Sequence, residues 1–283
     1  MLVVDCSQLC YSSFYTMSDL SYNEKKTGVI FGFLQQIFTI AKKFNSCDFV
    51  FCWDSKKRYR KLICKDYKAN RDIKKLTPIE LKERRQMFLQ MADLRQKIIP
   101  KLGFKNSFIK TGLEADDLIS YIAMHNKDVV VVSSDNDLLQ LLDFCIIFNT
   151  KTKKKFTKSD FCKKWNIKPS EWYKVKAIAG CGGDNVKGVK GVGEKTAIKY
   201  INGVLPDGKV KDRIDSENSK EMIKMNEALV KLPFDVDAYR DIIIDDNDFV
   251  FDNWCDVFEE YGLKSFFEKD NFNKLKELFL LNG

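Results

Sequence analysis

GLEADDLISYIAMHNKDVVVVSSDNDLLQLL, residues 112–142, is the stretch from which the architecture is read. Its four consecutive valines, Val129 to Val132, show no alternation of polar and apolar residues, which is how a strand buried on both faces reads. Glu114, Asp116 and Asp117 open the helix that leads into that strand, with Glu114 and Asp117 on one helical face. Three more β-rich runs, Leu2 to Val4, Phe49 to Trp53 and Cys145 to Phe148, alternate with helical patterns. Ile30, Phe33, Leu34, Ile37, Ala41 and Phe44 form one apolar stripe, and Met87, Met91, Leu94 and Ile98 another. Thr77-Pro78-Ile79-Glu80 reads as a capping box with proline at the first helical position. The expected fold class is α/β, a central mostly parallel sheet flanked by helices.

From about residue 157 the strand signal disappears, and the remainder reads as helices with a Gly-rich loop at 180–193 and a loop at 206–215. The expected division is an α/β core over 1–155 and a helical region over 156–283. The N-terminus lacks the basic and long apolar regions of a secretion signal, and no apolar run is long enough to span a bilayer, so a cytoplasmic protein without membrane contact is expected. Nine cysteines without a C-x-x-C read as reduced core thiols rather than a zinc or disulfide framework. With His125 as the sole histidine, at the polar end of an apparent helix, multi-histidine metal sites are excluded and a Ser-His-Asp triad nearly so.

The net charge of +8 is unevenly spread. Residues 56–75 carry ten basic side chains against Asp66 and Asp72, and residues 151–168 carry eight lysines against Asp160. Residues 235–260 reverse the sign, with ten acids against Arg240. So polarised a surface suits a polyanion, although charge runs are also simply solvated faces.

Ligands of open parallel sheets collect at the carboxyl ends of the strands. Asp5, Asp54, Asp135 and Asp137 follow three of the predicted strands, and Glu114, Asp116 and Asp117 join them at a helix start. Any one could be only a helix cap. Together they would repel unless cations neutralised them, and an all-oxygen set suits Mg²⁺ or Mn²⁺, the ions of two-metal phosphodiester chemistry. The Gly188 to Ala197 segment imitates a P-loop, but Glu194 intrudes before Lys195 and the preceding residues 172–179 read as helix rather than strand. Two helices joined by a tight glycine turn, with Lys187, Lys190, Lys195 and Lys199 nearby, instead suit a grip on a nucleic-acid backbone. Cations interleaved with Tyr59 and Tyr67 suit the same partner.

In order and spacing, VVDCSQL, FCWDS, YKANRD, GLEADDL, SSDNDLLQLL and GDNVKGVKGVGEKTA resemble the 5′-nuclease superfamily, most of all its stand-alone phage exonucleases and flap endonucleases. The resemblance implies a PIN-like core with a basic helical arch at about 56–80 and a helix-three-turn-helix at about 172–203. It implies cleavage of DNA at 5′ ends and flaps, with RNA–DNA hybrids as further substrates, by a monomer of a bacterial or phage-infected cell, in replication or repair. Asp5, Asp54, Glu114, Asp116 and Asp117 would serve a first metal, and Asp135, Asp137 and Asp184 a second. Lys68 and Arg71 would contact the scissile phosphate, and Tyr67 would stack on a base. Arg60 and the hairpin residues Lys187, Gly188, Lys190, Gly191, Gly193, Lys195 and Thr196 would hold DNA, with K⁺ at the turn. Cys181 stands where the family usually has an aspartate, which opens the alternative of a DNA-binding relative with impaired catalysis. A PIN-like ribonuclease is the other alternative, and it leaves the glycine hairpin unexplained.

Overall fold

The structure, a computed structural model, describes residues 1–71, 76–234 and 237–282, with side chains for all of these except 269 and 280–282. In chain order the elements used below are β1 (Leu2–Asp5), α1 (Cys6–Met17), α2 (Gly28–Phe44), β2 (Phe49–Cys52), α3 (Pro78–Asp93), β3 (Ser107–Phe108), α4 (Ala115–His125), β4 (Val129–Val132) and β5 (Cys145–Asn149). They continue with β6 (Lys154–Phe156), α5 (Lys158–Trp165), α6 (Trp172–Ala179), α7 (Glu194–Ile201), α8 (Glu217–Val230), α9 (Phe251–Glu260) and α10 (Lys269–Asn282). Contacts divide the chain into two compact units, residues 1–53, 76–109 and 240–283 in one and 54–75 and 110–239 in the other. That division interleaves along the chain, unlike the sequential split expected at residue 155.

In the first unit β1, β2 and β3 are parallel, with Val4 opposite Phe51 and Phe51 opposite Ser107. Both faces of β1 and β2 are buried, as their unbroken apolar runs require. The α2 stripe faces these strands: Phe33 lies 6.0 Å from Phe51 and 5.9 Å from Trp53. The orphan N–H groups at the start of α2 are satisfied by a side chain of α3, since Gln90 Oε1 accepts from Val29 N at 2.9 Å. The α3 capping box forms as expected, with Thr77 N donating to Glu80 Oε2 at 2.7 Å. The unit also explains the phenylalanine-rich composition. Trp254 of α9 is fully buried against Phe38, Phe104 and Phe279, and its indole N–H donates to Leu102 O at 2.8 Å. This aromatic cluster binds the C-terminal helices α9 and α10 into the unit that contains the N-terminus.

In the second unit β4 and β5 are parallel and β6 returns antiparallel, with Phe148 opposite Lys155. Several short strand segments were invisible in the sequence, two of which are β3 and β6. Ser107–Phe108 is too short to show periodicity, and Lys154–Phe156 hides in a lysine run whose ladder is supplied by β5. A helix also replaces part of the loop expected at 206–215, over Lys209–Asp215. Residues 72–75 of the expected arch lie outside the described residues. All nine cysteines are free, and Cys6, Cys10, Cys47, Cys52 and Cys145 are buried. Among the described residues no helix is long and apolar enough to cross a membrane.

Replacing Trp254 with Ala removes the centre of the aromatic cluster and its indole hydrogen bond. Chemical denaturation should show a loss of about 3–5 kcal/mol, with Trp254→Phe recovering part of it. A loss below about 1 kcal/mol would mean that the C-terminal helices are not anchored through this residue.

Candidate metal and nucleic-acid site

The centre of the second unit is a buried carboxylate, Glu114, at the N-cap of α4. Four donors from the residue 58–68 segment reach it. Lys68 Nζ is 2.6 Å away, Tyr67 Oη 2.8 Å, Arg58 Nε 3.1 Å and Arg60 Nη1 3.3 Å. Burial alone would raise the Glu114 pKa, but Lys68 and Arg60 outweigh it and hold the carboxyl at about 2. The same exchange works in reverse at Lys68, where burial would lower the ammonium pKa and Glu114, Asp184 and Asp116 raise it.

Asp117 and Arg60 form the tightest pair. Asp117 is completely buried and Arg60 is 3% exposed. Both guanidinium Nη atoms lie 2.7 Å from the two carboxylate oxygens, and Arg60 Nε donates to Leu229 O at 2.7 Å. The remaining lone pairs of Asp117 accept from Glu114 N and Phe234 N, each at 2.9 Å. The expected roles of Asp117 as a metal ligand and Arg60 as a DNA contact therefore do not fit their placement. Full burial commits each to the other.

A second set of contacts straps residues 66–71 to the loop 182–185. Lys68 N donates to Asp184 O at 2.8 Å, Asn70 Nδ2 to Gly182 O at 2.9 Å, and Asn185 Nδ2 to Asp66 O at 2.7 Å. Arg71 is half-exposed, and its Nη2 donates to Asp184 Oδ1 at 2.6 Å. Lys68 adopts a left-handed φ of +56°, which turns the chain so that both cations face carboxylates. Tyr67 differs from the base-stacking role expected of it. Its ring is buried in an apolar cluster with Ala177, Val186, Leu229 and Val230, and its hydroxyl bonds Glu114 and Asp184.

Beside the strap lies a mixed donor set. Asp137, Cys181 and Asp184 each place one ligand atom within 4.8 Å of the others. Cys181 Sγ lies 3.6 Å from Asp137 Oδ2, and burial followed by the charges of Asp137 and Asp184 pushes the thiol up to about 12. Asp135 joins this group through the backbone, its Oδ1 accepting from Asp137 N at 2.8 Å. The crowding protein and then the charge of Asp137 raise its pKa. Lys176, 8% exposed, sits between Asp137 Oδ1 at 3.2 Å and Glu194 Oε1 at 3.0 Å. Neither Lys176 nor Arg58 was singled out in the sequence. Lys176 had a signal, since it falls four residues after the buried Trp172 on the same face of α6.

The remaining predicted residues are placed as follows. Asp54 is exposed, and its Oδ1 accepts at 2.9 Å from the N–H of Ala115, the residue between Glu114 and Asp116 at the start of α4. Asp5 belongs to the first unit, where its Oδ1 caps α1 by accepting from Gln8 N at 3.0 Å. Helices α6 and α7 flank a short hairpin in which Gly180–Cys181 pairs with Val186–Lys187. Gly188 has to be glycine, since a Cβ there would overlap the Ala179 carbonyl. Buried Asn226 of α8 fixes the hairpin by donating to Ala177 O at 2.9 Å and Lys187 O at 2.8 Å. Lys187, Lys190, Gly191, Gly193 and Lys195 are exposed along the turn, and Thr196 N donates to Gly193 O at 3.0 Å.

Carboxylates crowded with cations on an α/β scaffold are suited to phosphoryl chemistry, and the comparisons agree. The family model for the N-terminal, resolvase-like domain of 5′-3′ exonucleases matches residues 1–166, and the chain belongs to that family. A 5′-3′ exonuclease of Bacillus subtilis (strain 168) is 34% identical over 215 residues, covering 71% of this chain and 69% of the relative. The T5 D15 protein co-crystallised with metal ions superposes with a TM-score of 0.67 at 25% identity, covering 82% of this chain and 89% of that one. The T5 D15 flap endonuclease in a complex with DNA and metal ions gives 0.69 at 22% identity over 99% of this chain and 98% of that one. The shared fold is a mostly parallel central sheet flanked by helices.

Two outcomes test the electrostatic core. Arg60→Met leaves Asp117 buried without a cation and should cost about 3–5 kcal/mol by chemical denaturation, with Arg60→Met/Asp117→Leu regaining more than half. The depressed Glu114 pKa contributes stability that is present above the ordinary carboxylate value of 4.5 and is lost as pH falls toward about 2. Glu114→Gln should remove about 3 kcal/mol of that dependence between those limits, read from denaturation midpoints against pH. An unchanged slope would mean that Glu114 is not held ionised by its neighbours.

Proposed function

We propose that this chain is a metal-dependent nuclease that hydrolyses phosphodiesters at 5′ ends and 5′ flaps of DNA. The observation that carries the reading is the strap. It holds the cations of Lys68 and Arg71 against the same loop that presents Asp184, beside Asp137 and Asp135. Membership of the 5′-3′ exonuclease family and the metal ions and DNA in the T5 D15 structures support it.

Carboxylate oxygens of Asp135, Asp137 and Asp184 are hard donors that fit Mg²⁺ or Mn²⁺, with Asp54 and Asp116 as further oxygen donors. Bound there, such ions would supply the Lewis acidity that activates water and offsets charge on the phosphate. The protein's own groups act electrostatically. The Lys68 and Arg71 pKa values are raised by Glu114 and Asp184 against the effect of burial, so both stay charged and stabilise negative charge rather than pass protons. His125 is spent elsewhere, stacked on Tyr121 with Nδ1 2.8 Å from Tyr121 O, so a histidine general base has no part. The turn between α6 and α7, with its exposed lysines and backbone N–H groups, suits the duplex backbone, and K⁺ at the turn remains part of the proposal. The proposed setting is the cytoplasm of a bacterial or phage-infected cell, where a monomer would meet flaps and RNA–DNA hybrids.

Cleavage of a 5′-labelled flap duplex with Mg²⁺, with Mn²⁺ and with chelator tests the reading. Release of a short labelled product with metal and none with chelator is expected. A flap that binds and stays whole with either ion would overturn the assignment in favour of a binding protein. Because a thiol is a poor ligand for Mg²⁺, Cys181→Asp should lower the Mg²⁺ concentration for half-maximal cleavage, about tenfold. Identical metal dependence in the variant would show that residue 181 does not face the ions.

A further inference from the structure

Between β6 and α5 a cleft of about 440 Å³ opens beside the acidic loop, and apart from Asp135 nothing in the proposed chemistry uses it. One wall is aromatic. Phe156 and Trp165 are half-buried, with centroids 5.9 Å apart and planes at 73°, and Trp165 is braced from behind by Phe161 at 4.7 Å and Trp172 at 5.0 Å. The mouth is cationic, with Lys154 on β6, on the same strand face as Phe156, and Lys164 on α5, whose ammonium lies 4.2 Å over the Trp165 ring. Ser133, Asp135 and Asn136 line the cleft as well, so it borders the same loop that carries the carboxylates. The acid in the outer wall, Asp160, is occupied in capping α5, where its Oδ2 accepts from Thr157 at 2.7 Å.

Lysines along an edge strand also serve to keep it from pairing with other chains. That purpose needs no hollow and no rings. A ring-lined recess with ammonium groups at its lip selects a flat π-system joined to an anion, and its volume is in the range of small-ligand clefts. We propose that this cleft holds one nucleotide of the nucleic acid being cut, its base against Trp165 and Phe156 and its phosphate between Lys154 and Lys164. The inference rests on the nuclease reading for the identity of the strand, and it adds a subsite that grips the substrate next to the acidic loop.

The test uses the full chain and flap duplexes carrying 2-aminopurine at single positions on either side of the cut, in chelator. Quenching at one position is expected in the wild type and should be lost in Trp165→Leu. Lys154→Gln/Lys164→Gln changes only exposed side chains, so its folding is not at issue. It should weaken flap binding about tenfold, reduce the slope of log K against log salt by about 1–2, and with metal raise KM about tenfold while kcat stays within about twofold. Flap binding and salt slope unchanged in the lysine variant, or quenching that survives Trp165→Leu, would overturn the subsite. If the wild type cuts flaps while the variants bind as it does, this inference alone fails. If the wild type cuts nothing, the reading of the acidic loop fails with it.

Discussion

A carboxylate buried as deeply as Glu114 stays ionised only if cations close around it, and that requirement organises the second unit. Four donors spread along the 58–68 segment are drawn to one side chain at the head of α4. Removing a charge from water is costly, and leaving it unpaired costs more than any single hydrogen bond returns. The segment therefore has little choice of path once Glu114 and Asp117 are fixed at the helix start. Ion pairs on exposed surfaces have no such authority.

The consequence reaches the chemistry. Because Lys68 answers Glu114, the residues after it arrive at the 182–185 loop, where Arg71 meets Asp184 and backbone groups are exchanged. Arg60, Asp117 and Tyr67 form the buried base of this arrangement, while Asp135, Asp137, Asp184 and Arg71 stand toward the accessible side. The carboxylates thus do two jobs. Some hold the protein together and others remain suited to cations. Cys181 lies among the second kind, and its thiol gives that group a softer donor than its neighbours.

The long elements were legible. The α2 stripe came from a helical repeat, the start of α3 from its capping box and the four longer strands from unbroken apolar runs, each with nearly the right bounds. The three-residue β6 and two-residue β3 left no such signal, since their ladders depend on partners elsewhere in the chain. The division into units was hidden for a related reason. Residues 240–283 are helical by pattern, but only the packing of Trp254 among distant phenylalanines assigns them to the unit that holds β1.

The sequence by itself determined the residue chemistry: an acid-rich, nearly histidine-free set of side chains, a basic segment with tyrosines, and a glycine turn flanked by lysines. Only the tertiary structure decided how those residues are spent. Asp116 and Asp117 are neighbours of the same type, yet full burial gives Asp117 to Arg60, and likewise Lys176 is a catalogue lysine until α6 turns it toward Asp137. A residue's type sets which interactions it can make, whereas burial and distance, which the chain acquires only on folding, set which of them it must make.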